Sequence, residues 1–310
     1  MSRPLFLVLA YNQERYIAQS VEAAFAQTGI ALDILISDDC SSDGTFEVIK
    51  GTVEDYRGPH QVGINRNPHN LGLIEHINSL LKCTENEHII LAAGDDISCP
   101  ARAKAIMDAF EAGPFGLVHS NVEEIGEDGA VLDMQPTRAL FHRTTDLARS
   151  AVGLGLYIGA TGAIHRSLFE RYGPLPQGTY EDLIFGFRAA LEGGAHYVDQ
   201  PLVRYRAGIG ISAEVSTSTV AEWRRERTKV LMRHTKVMDA RTKDAATAGL
   251  PAEHAVILKL QRKRASFEAR LKVLGQSASF ALRLALQGDR NALPAWWSER
   301  KRERRAMRRG

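Results

Sequence analysis

Along the first hundred residues, short unbroken apolar runs alternate with segments in which apolar side chains recur every three or four positions. Leu5–Ala10, Leu32–Ser37 and His88–Ala93 are continuous and rich in Ile, Leu and Val, a pattern that predicts strands buried on both faces. Between the first two, Gln13–Gln27 carries Tyr16, Ile17, Val21, Ala24 and Phe25 at helical spacing, with Asn12 as N-cap and Glu14 in the first turn. Gly44–Tyr56, Leu71–Lys82 and Ala101–Glu111 predict further helices, the last preceded by Pro100. Strand–helix alternation of this kind predicts an α/β domain with a mainly parallel sheet flanked by helices. Val122–Met134 predicts a hairpin around Asp128-Gly129. Beyond Ser212 the chain turns to Arg, Lys, Ala and Leu at helical periodicity, which places a boundary near residue 215, between a domain at 1–215 and a helical extension at 216–310.

Mainly parallel sheets bind ligands beyond the carboxyl ends of their strands, so those ends are where chemistry is expected. They are polar here. The first strand runs into Ala10-Tyr11-Asn12, the second into Asp38-Asp39-Cys40-Ser41-Ser42-Asp43-Gly44-Thr45, and a later one into Gly94-Asp95-Asp96. Adjacent carboxylates after a buried strand suit Mg²⁺ or Mn²⁺, and they equally suit a turn leading into the Ala101 helix. Asp39 is placed to accept from the imide N–H of a pyrimidine base, while Ser41, Ser42 and Asp43 serve equally as turn and cap residues. Farther on, Tyr180-Glu181-Asp182-Leu183 opens a helical pattern. Carboxylates there are either partners of the helix macrodipole or, for Asp182, a general base.

Overall composition changes this picture little until the chain is cut. A net charge of +2, with 44% hydrophobic and 25% charged residues, is ordinary for a globular protein. Yet Met1–Val220 holds 16 Lys and Arg against 28 Asp and Glu, a net of −12, and Ala221–Gly310 holds 23 against 9, a net of +14. Such asymmetry points to an anionic partner for the basic part. The three cysteines, Cys40, Cys83 and Cys99, form no CxxC pair, which argues against a disulfide framework or a thiolate zinc site and fits a reducing cytoplasm. No apolar run reaches membrane-spanning length, and Leu5–Ala10 reads as a core strand, not a targeting segment.

Taken in order, Tyr11-Asn12, the Asp-Asp-Cys-Ser-Ser-Asp-Gly-Thr turn, Asn70-Leu71-Gly72, Gly94-Asp95-Asp96 and Glu181-Asp182 resemble glycosyltransferase family 2. The resemblance covers about Pro4 to Ser212 and implies a GT-A-like, Rossmann-like fold and an inverting, metal-dependent transfer from a nucleotide-sugar donor. On that resemblance Ala10, Tyr11 and Glu14 line the nucleotide pocket, Asp39 binds the base, and Asn70, Gly72 and Asp95 approach the donor. Asp96 holds the Mg²⁺ or Mn²⁺, Asp182 is the catalytic base, and Glu181 stands on the acceptor side. Pro201–Arg206 matches a strand that closes the acceptor side in many relatives. Two departures stand out. Many relatives place a His after the Tyr-Arg pair that Tyr205-Arg206 matches, and here Ala207-Gly208 follows; many place an Arg before the residue matching Asn78, and here it is Ile77.

The implied donor is UDP- or TDP-linked and the acceptor a glycan or lipid-linked hydroxyl in bacterial surface polysaccharide assembly, on the inner face of the cytoplasmic membrane. A nucleotidyltransferase and a degenerate, partner-binding scaffold are the alternatives. The absence of a Gln-x-x-Arg-Trp pattern argues against a processive synthase. Gly153–Gly159 superficially resembles a dinucleotide fingerprint but lacks a preceding strand, and reads better as a loop near the acceptor. No HExxH, GxSxG or P-loop occurs. Trp296-Trp297 precedes a tail, Ser298–Gly310, with seven basic and two acidic residues, a composition that suits either an anionic membrane surface or a solvated tail. No nucleic-acid partner is expected.

Overall fold

The computed structural model describes residues 3–133, 139–209 and 219–308. The chain divides into two compact units, Met1–Gln177 with Glu181–Ala213, and Gly178–Tyr180 with Glu214–Gly310. The boundary expected near residue 215 lies outside the described residues, as does Met134 at the end of the expected hairpin.

The first unit is built on one eight-stranded sheet. Its strands are β1 (Leu5–Ala10), β2 (Asp33–Asp38), β3 (Gln61–Arg66), β4 (His88–Ala93), β5 (Ile97–Ser98), β6 (Leu117–Ile125), β7 (Ala163–His165) and β8 (Ala195–Arg206), in the order β3-β2-β1-β4-β7-β6-β8-β5. The β3-β2-β1-β4 half is entirely parallel, β6 and β8 pair in parallel, and β7 and β5 run antiparallel to their neighbours. Helices α1 (Ile17–Phe25), α2 (Thr45–Glu54), α3 (Leu73–Cys83), α4 (Arg102–Glu111), α5 (Leu147–Ser150), α6 (Ser167–Tyr172) and α7 (Glu181–Leu191) lie between the strands in sequence. Leu5, Phe6, Leu7 and Val8 of β1 are all buried, as expected of a central strand covered on both faces. Phe6, Val8, Ile34, Ile36 and Ile90 share one core with Ile17, Val21 and Ala24 of α1 and Ile106 of α4.

One local reading is corrected. The first helix begins at Ile17 with Tyr16 at its N-cap, not at Gln13 with Asn12 as the cap. Asn12 instead adopts a left-handed backbone, φ 52°, and its side chain is taken by another loop: Oδ1 accepts from Ser42 N at 2.9 Å. The expected hairpin is present in short form among the described residues: Gly129 has φ +81°, Gly126 N donates to Ala130 O, Leu132 N donates to Glu124 O, and Ile125 bridges Val131 antiparallel.

The second unit contains α8 (Val220–Thr247), α9 (Ala255–Val273), α10 (Ala278–Leu286) and α11 (Ala292–Ala306). Thr219 and Glu222 form a capping box that starts α8. Ala269 and Val273 of α9, Ala281 of α10, and Ala292 and Ala295 of α11 bury one another. Among the described residues no helix is long and apolar enough to cross a membrane.

Candidate functional site

The carboxyl ends of β1, β2 and β4 are joined before any ligand arrives. Asp39 N donates to Ala10 O, and Gly94 N donates to Leu9 O, both at 2.9 Å. Asn12 N donates to Ser41 Oγ at 2.8 Å, Gln13 N to Thr45 Oγ1 at 2.7 Å, and Gly44 N to the Glu14 carboxylate at 3.0 Å. Ala10 is buried and Tyr11 is 46% exposed at the lip of this cluster. Asp43 does act as a turn residue: its Oδ1 accepts from Thr45 N at 3.1 Å. Asp38, fully buried, binds Ser41 N and Ser41 Oγ and pairs with Arg66 at 3.3 Å.

Asp39 anchors the Asn70-Leu71-Gly72 loop. Its Oδ1 accepts from Asn67 Nδ2 at 2.7 Å and Leu71 N at 2.9 Å, and its Oδ2 from Gly72 N at 2.8 Å. Asn70 Oδ1 also accepts from Gly72 N, and Gly72 has φ +74°, a conformation that favours glycine. A carboxylate oxygen has two lone pairs, so Oδ2 retains capacity for a further donor. Nearby, His76 is a buried helix residue whose Nε2 meets Ser37 Oγ at 2.6 Å, and burial lowers its pKa; His69 is exposed. Ile77 is core, and Asn78 clamps the backbone of Leu175 by both its amide groups.

The Asp95-Asp96 turn holds two adjacent buried carboxylates. Asp96 is 5% exposed. Its Oδ1 accepts from Arg206 N at 2.8 Å, whereas its Oδ2 is buried without a hydrogen-bond partner. Burial and then the neighbouring Asp95 push its pKa up to about 7. Asp95 is also raised by burial, an effect opposed by its own backbone, Gln13 and Arg206. The Arg206 guanidinium donates to Asp95 O, Gly126 O, Glu127 O and Gln19 Oε1, and lies 4.5 Å from the Tyr16 ring centroid. Arg102, fully buried, donates to Leu91 O, Ala160 O and Ser98 Oγ. Both cations favour the ionised form of Asp96, but desolvation outweighs them.

Glu181 and Asp182 open α7, as the sequence predicts. Glu181 is half-buried, and its pKa is raised by burial and then by Asp182. The Asp182 Oδ1 accepts from Leu183 N at 2.8 Å. Tyr157, buried with no partner for its hydroxyl, is held well above its ordinary pKa by burial and then by these two carboxylates. The Gly153–Gly159 segment is packed at its ends and open at Leu154 and Gly155: a Cβ at Gly159 would stand 2.2 Å from Glu181 Oε1, and one at Gly155 would meet nothing. Gly159→Ala is expected to keep the fold, displace the Glu181 carboxylate and lower turnover about tenfold, since small misplacements of reacting groups are costly. Steady-state kinetics beside a thermal melt check this; unchanged kcat would separate Glu181 from the reaction.

The structure thus gathers Ala10, Tyr11, Glu14 and Asp39 into one interlocked rim, with Asn70 and Gly72 hung on Asp39. Asp95 and Asp96 form the adjoining turn. Glu181 and Asp182 form a second carboxylate pair, whose neighbour Gly159 is followed by Ala160, the carbonyl that Arg102 holds. Sequence reasoning missed Gln13, Arg102 and Tyr157, and gave Arg206 no part in the acidic turn. Arg102 left one signal. A cation as the first residue of a helix opposes the macrodipole and needs a separate reason to be there.

A sheet whose parallel half ends in acidic turns, continued by a mixed half that returns an arginine strand to the second turn, defines a GT-A-type domain. Residues 6–173 match the family model "Glycosyl transferase family 2", and the chain belongs to that family. It is 26% identical over 129 residues to the succinoglycan biosynthesis protein ExoO of Rhizobium meliloti (strain 1021), a match spanning 42% of this chain and 36% of ExoO. It is 30% identical over 92 residues to the putative glycosyltransferase EpsE of Bacillus subtilis (strain 168), spanning 30% of this chain and 32% of EpsE. The match therefore spans about a third of each of these relatives. Among solved structures, S. aureus TarS 1-349 in complex with UDP-GlcNAc superposes with a TM-score of 0.61 at 18% identity, covering 99% of this chain and 82% of that one. The Pyrobaculum calidifontis mannosyltransferase PcManGT in complex with GDP-Man and Mn²⁺ gives 0.54 at 14% identity, covering 98% and 85%. At these identities the likeness is one of fold.

Proposed function

We propose that this chain transfers a sugar, with inversion, from a nucleoside diphosphate donor to a glycan or lipid-linked acceptor hydroxyl, in the assembly of a surface polysaccharide on the inner face of the cytoplasmic membrane. UDP and TDP are the favoured donors. The catalytic work belongs to 1–215, and 216–310 is a basic helical extension. The observation that carries the reading is the buried Asp96 Oδ2, a carboxylate oxygen without a protein partner at the carboxyl end of the sheet.

That orphaned oxygen tests whether the residues fit a divalent cation, and they do. Leaving a buried charge uncompensated is unfavourable, and a hard cation is the natural complement of a carboxylate oxygen. Among the described residues no cluster of three or more His, Cys, Asp or Glu gathers, and on this reading Asp96 would hold the ion, with donor phosphates and water as further ligands. Bound Mg²⁺ or Mn²⁺ would supply Lewis-acid stabilisation of charge on the diphosphate leaving group. The names of ExoO and of the TarS and PcManGT complexes support the polysaccharide setting, the nucleotide-sugar donor and the Mn²⁺.

The chain's own residues do the remainder. Asp39 offers the base the unused acceptor capacity of Oδ2, and uracil and thymine present the same imide N–H. Glu14 and Asn12 fix the rim on which the nucleoside rests. Asp182, at the start of α7, takes the proton from the attacking acceptor hydroxyl, and Glu181, held towards its protonated form, can donate to an acceptor oxygen. Calorimetric titration with UDP, TDP and GDP, each with and without Mn²⁺, tests the reading. UDP or TDP is expected to bind with Mn²⁺, and its sugar conjugate to be hydrolysed slowly with release of nucleoside diphosphate. Pyrophosphate release, or no nucleotide binding, would refute it.

A further inference from the structure

Helix α11 has two faces of opposite chemistry. Its inward face carries Ala292, Ala295, Glu299 and Glu303, all buried. These two glutamates are the acidic residues of the helix, and arginines of the same unit neutralise both. Glu299 accepts two bonds from Arg227, at 2.7 and 2.9 Å, and has Arg270 at 3.5 Å. Glu303 accepts two from Arg224, at 2.9 and 3.2 Å, and one from Arg300 at 2.7 Å. Such paired, buried acids contribute nothing to the charge presented outward.

The outward face is left without a carboxylate. Leu293, Trp297, Lys301 and Arg304 follow one another at spacings of three and four, which places them on one stripe of the helix, and Arg308 follows just past its end. Among the described residues no Asp or Glu lies within ion-pair distance of Lys301, Arg304, Arg305 or Arg308, and all four are exposed. Trp297 is 63% exposed beneath Lys301, whose Nζ lies 5.1 Å from its ring. Trp296, Trp297, Arg300, Lys301, Arg304 and Arg308 line a groove of about 460 Å³. Helix α10, packed on α11, leaves Leu286 82% and Leu282 49% exposed.

We infer that the exposed basic stripe of α11 around Trp297 is a docking surface for an anionic phospholipid bilayer. Charge complementarity selects the occupant. A second copy docking through this same face would bring the same cations against these and be repelled. A bilayer with anionic headgroups supplies negative charge across an extended plane, and its interface accommodates the indole of Trp297 and the neighbouring Leu293. The long basic side chains can reach headgroups while their stems cover apolar surface. With no span among the described helices, the contact lies on the membrane surface. This surface is independent of the donor site, so its failure and that of the proposed reaction are read separately.

Co-sedimentation of the full chain with vesicles tests it. The wild type is expected to bind phosphatidylcholine vesicles that contain phosphatidylglycerol, to leave pure phosphatidylcholine in the supernatant, and to be released by high salt. Replacing Lys301, Arg304, Arg305 and Arg308 together with Gln is expected to weaken partitioning about a hundredfold or more, since neutralising each cation costs about fivefold. Trp297→Ala is expected to weaken it about tenfold with the charges intact. All five side chains are exposed, and circular dichroism checks that the helices persist. Wild-type binding that is absent, indifferent to phosphatidylglycerol, or unchanged in the quadruple variant overturns the proposal. So does binding to a labelled oligouridylate with none to anionic vesicles, which assigns the face to nucleic acid. Donor hydrolysis measured without vesicles is expected to be unaffected by these replacements.

Discussion

Asp182→Asn is expected to lower sugar transfer about a thousandfold while donor affinity stays within about twofold, because a positioned general base typically contributes 10²–10⁴ in rate. The substitution is nearly isosteric. The asparagine Oδ1 can still accept from Leu183 N, so the start of α7 is conserved. What is lost is a group able to take the acceptor proton. Glu181 does not replace it, because its burial favours the protonated form even without the Asp182 charge. The check is kcat with saturating acceptor beside calorimetric donor binding. Full transfer by a variant that binds donor normally would remove Asp182 from the role.

Asp96→Asn is expected to cost about 10²–10³ in kcat/KM and to abolish any stabilisation by Mn²⁺. Its effect on the metal-free protein has the opposite sign. A carboxyl whose folded-state pKa, about 7, lies above its unfolded value binds more protons when folded across the window between the two. Stability then falls as pH rises from about 4 to about 7, where the folded state must carry a desolvated charge. The amide carries none. In a chelator, the wild type should lose on the order of 3 kcal/mol relative to Asp96→Asn between pH 5 and pH 8. Mn²⁺ should restore the wild type at pH 8 and leave the variant unmoved. Thermal melts at the two pH values, with and without Mn²⁺, read both effects. Parallel melting of the two proteins across this range would mean that Asp96 is not the burdened group.

Much of the parallel half of the sheet was legible. β1 and β4 occupy the expected residues because continuous apolar runs have no stable place except a doubly covered strand. β2 is shifted by one residue, since Asp38 continues the ladder despite its charge. β3 was not legible: Gln61–Arg66 is a sheet-edge strand of mixed polarity, without an apolar run to announce it. The acidic turns were found because carboxylates at strand ends are conspicuous in sequence. Their supports were not, because a buried arginine is written like a surface one. Arg102 and Arg206 are distinguished only by what surrounds them, and Arg206 reaches Asp95 and Asp96 from 110 and more positions away. The same blindness applied to Asn12, whose capping composition was overruled by a longer-range contact with Ser42.

The tail was likewise half legible. Its net charge could be counted, but not the direction in which Glu299 and Glu303 point. Only the structure shows that the acids are spent internally.

The cross-stitching between Asn12, Glu14, Ser42 and Gly44 determines when this rim becomes ordered. Asn12 and Cys40 are non-glycine residues in left-handed backbone, at φ 52° and 59°, and side-chain bonds between the two loops oppose their relaxation. The entropy of fixing these residues is therefore lost during folding, and on the proposed reading a donor docking there has little loop ordering left to oppose it. Binding at the nucleoside end is then expected to be lock-like, leaving adaptation to whichever groups meet the sugar and the acceptor.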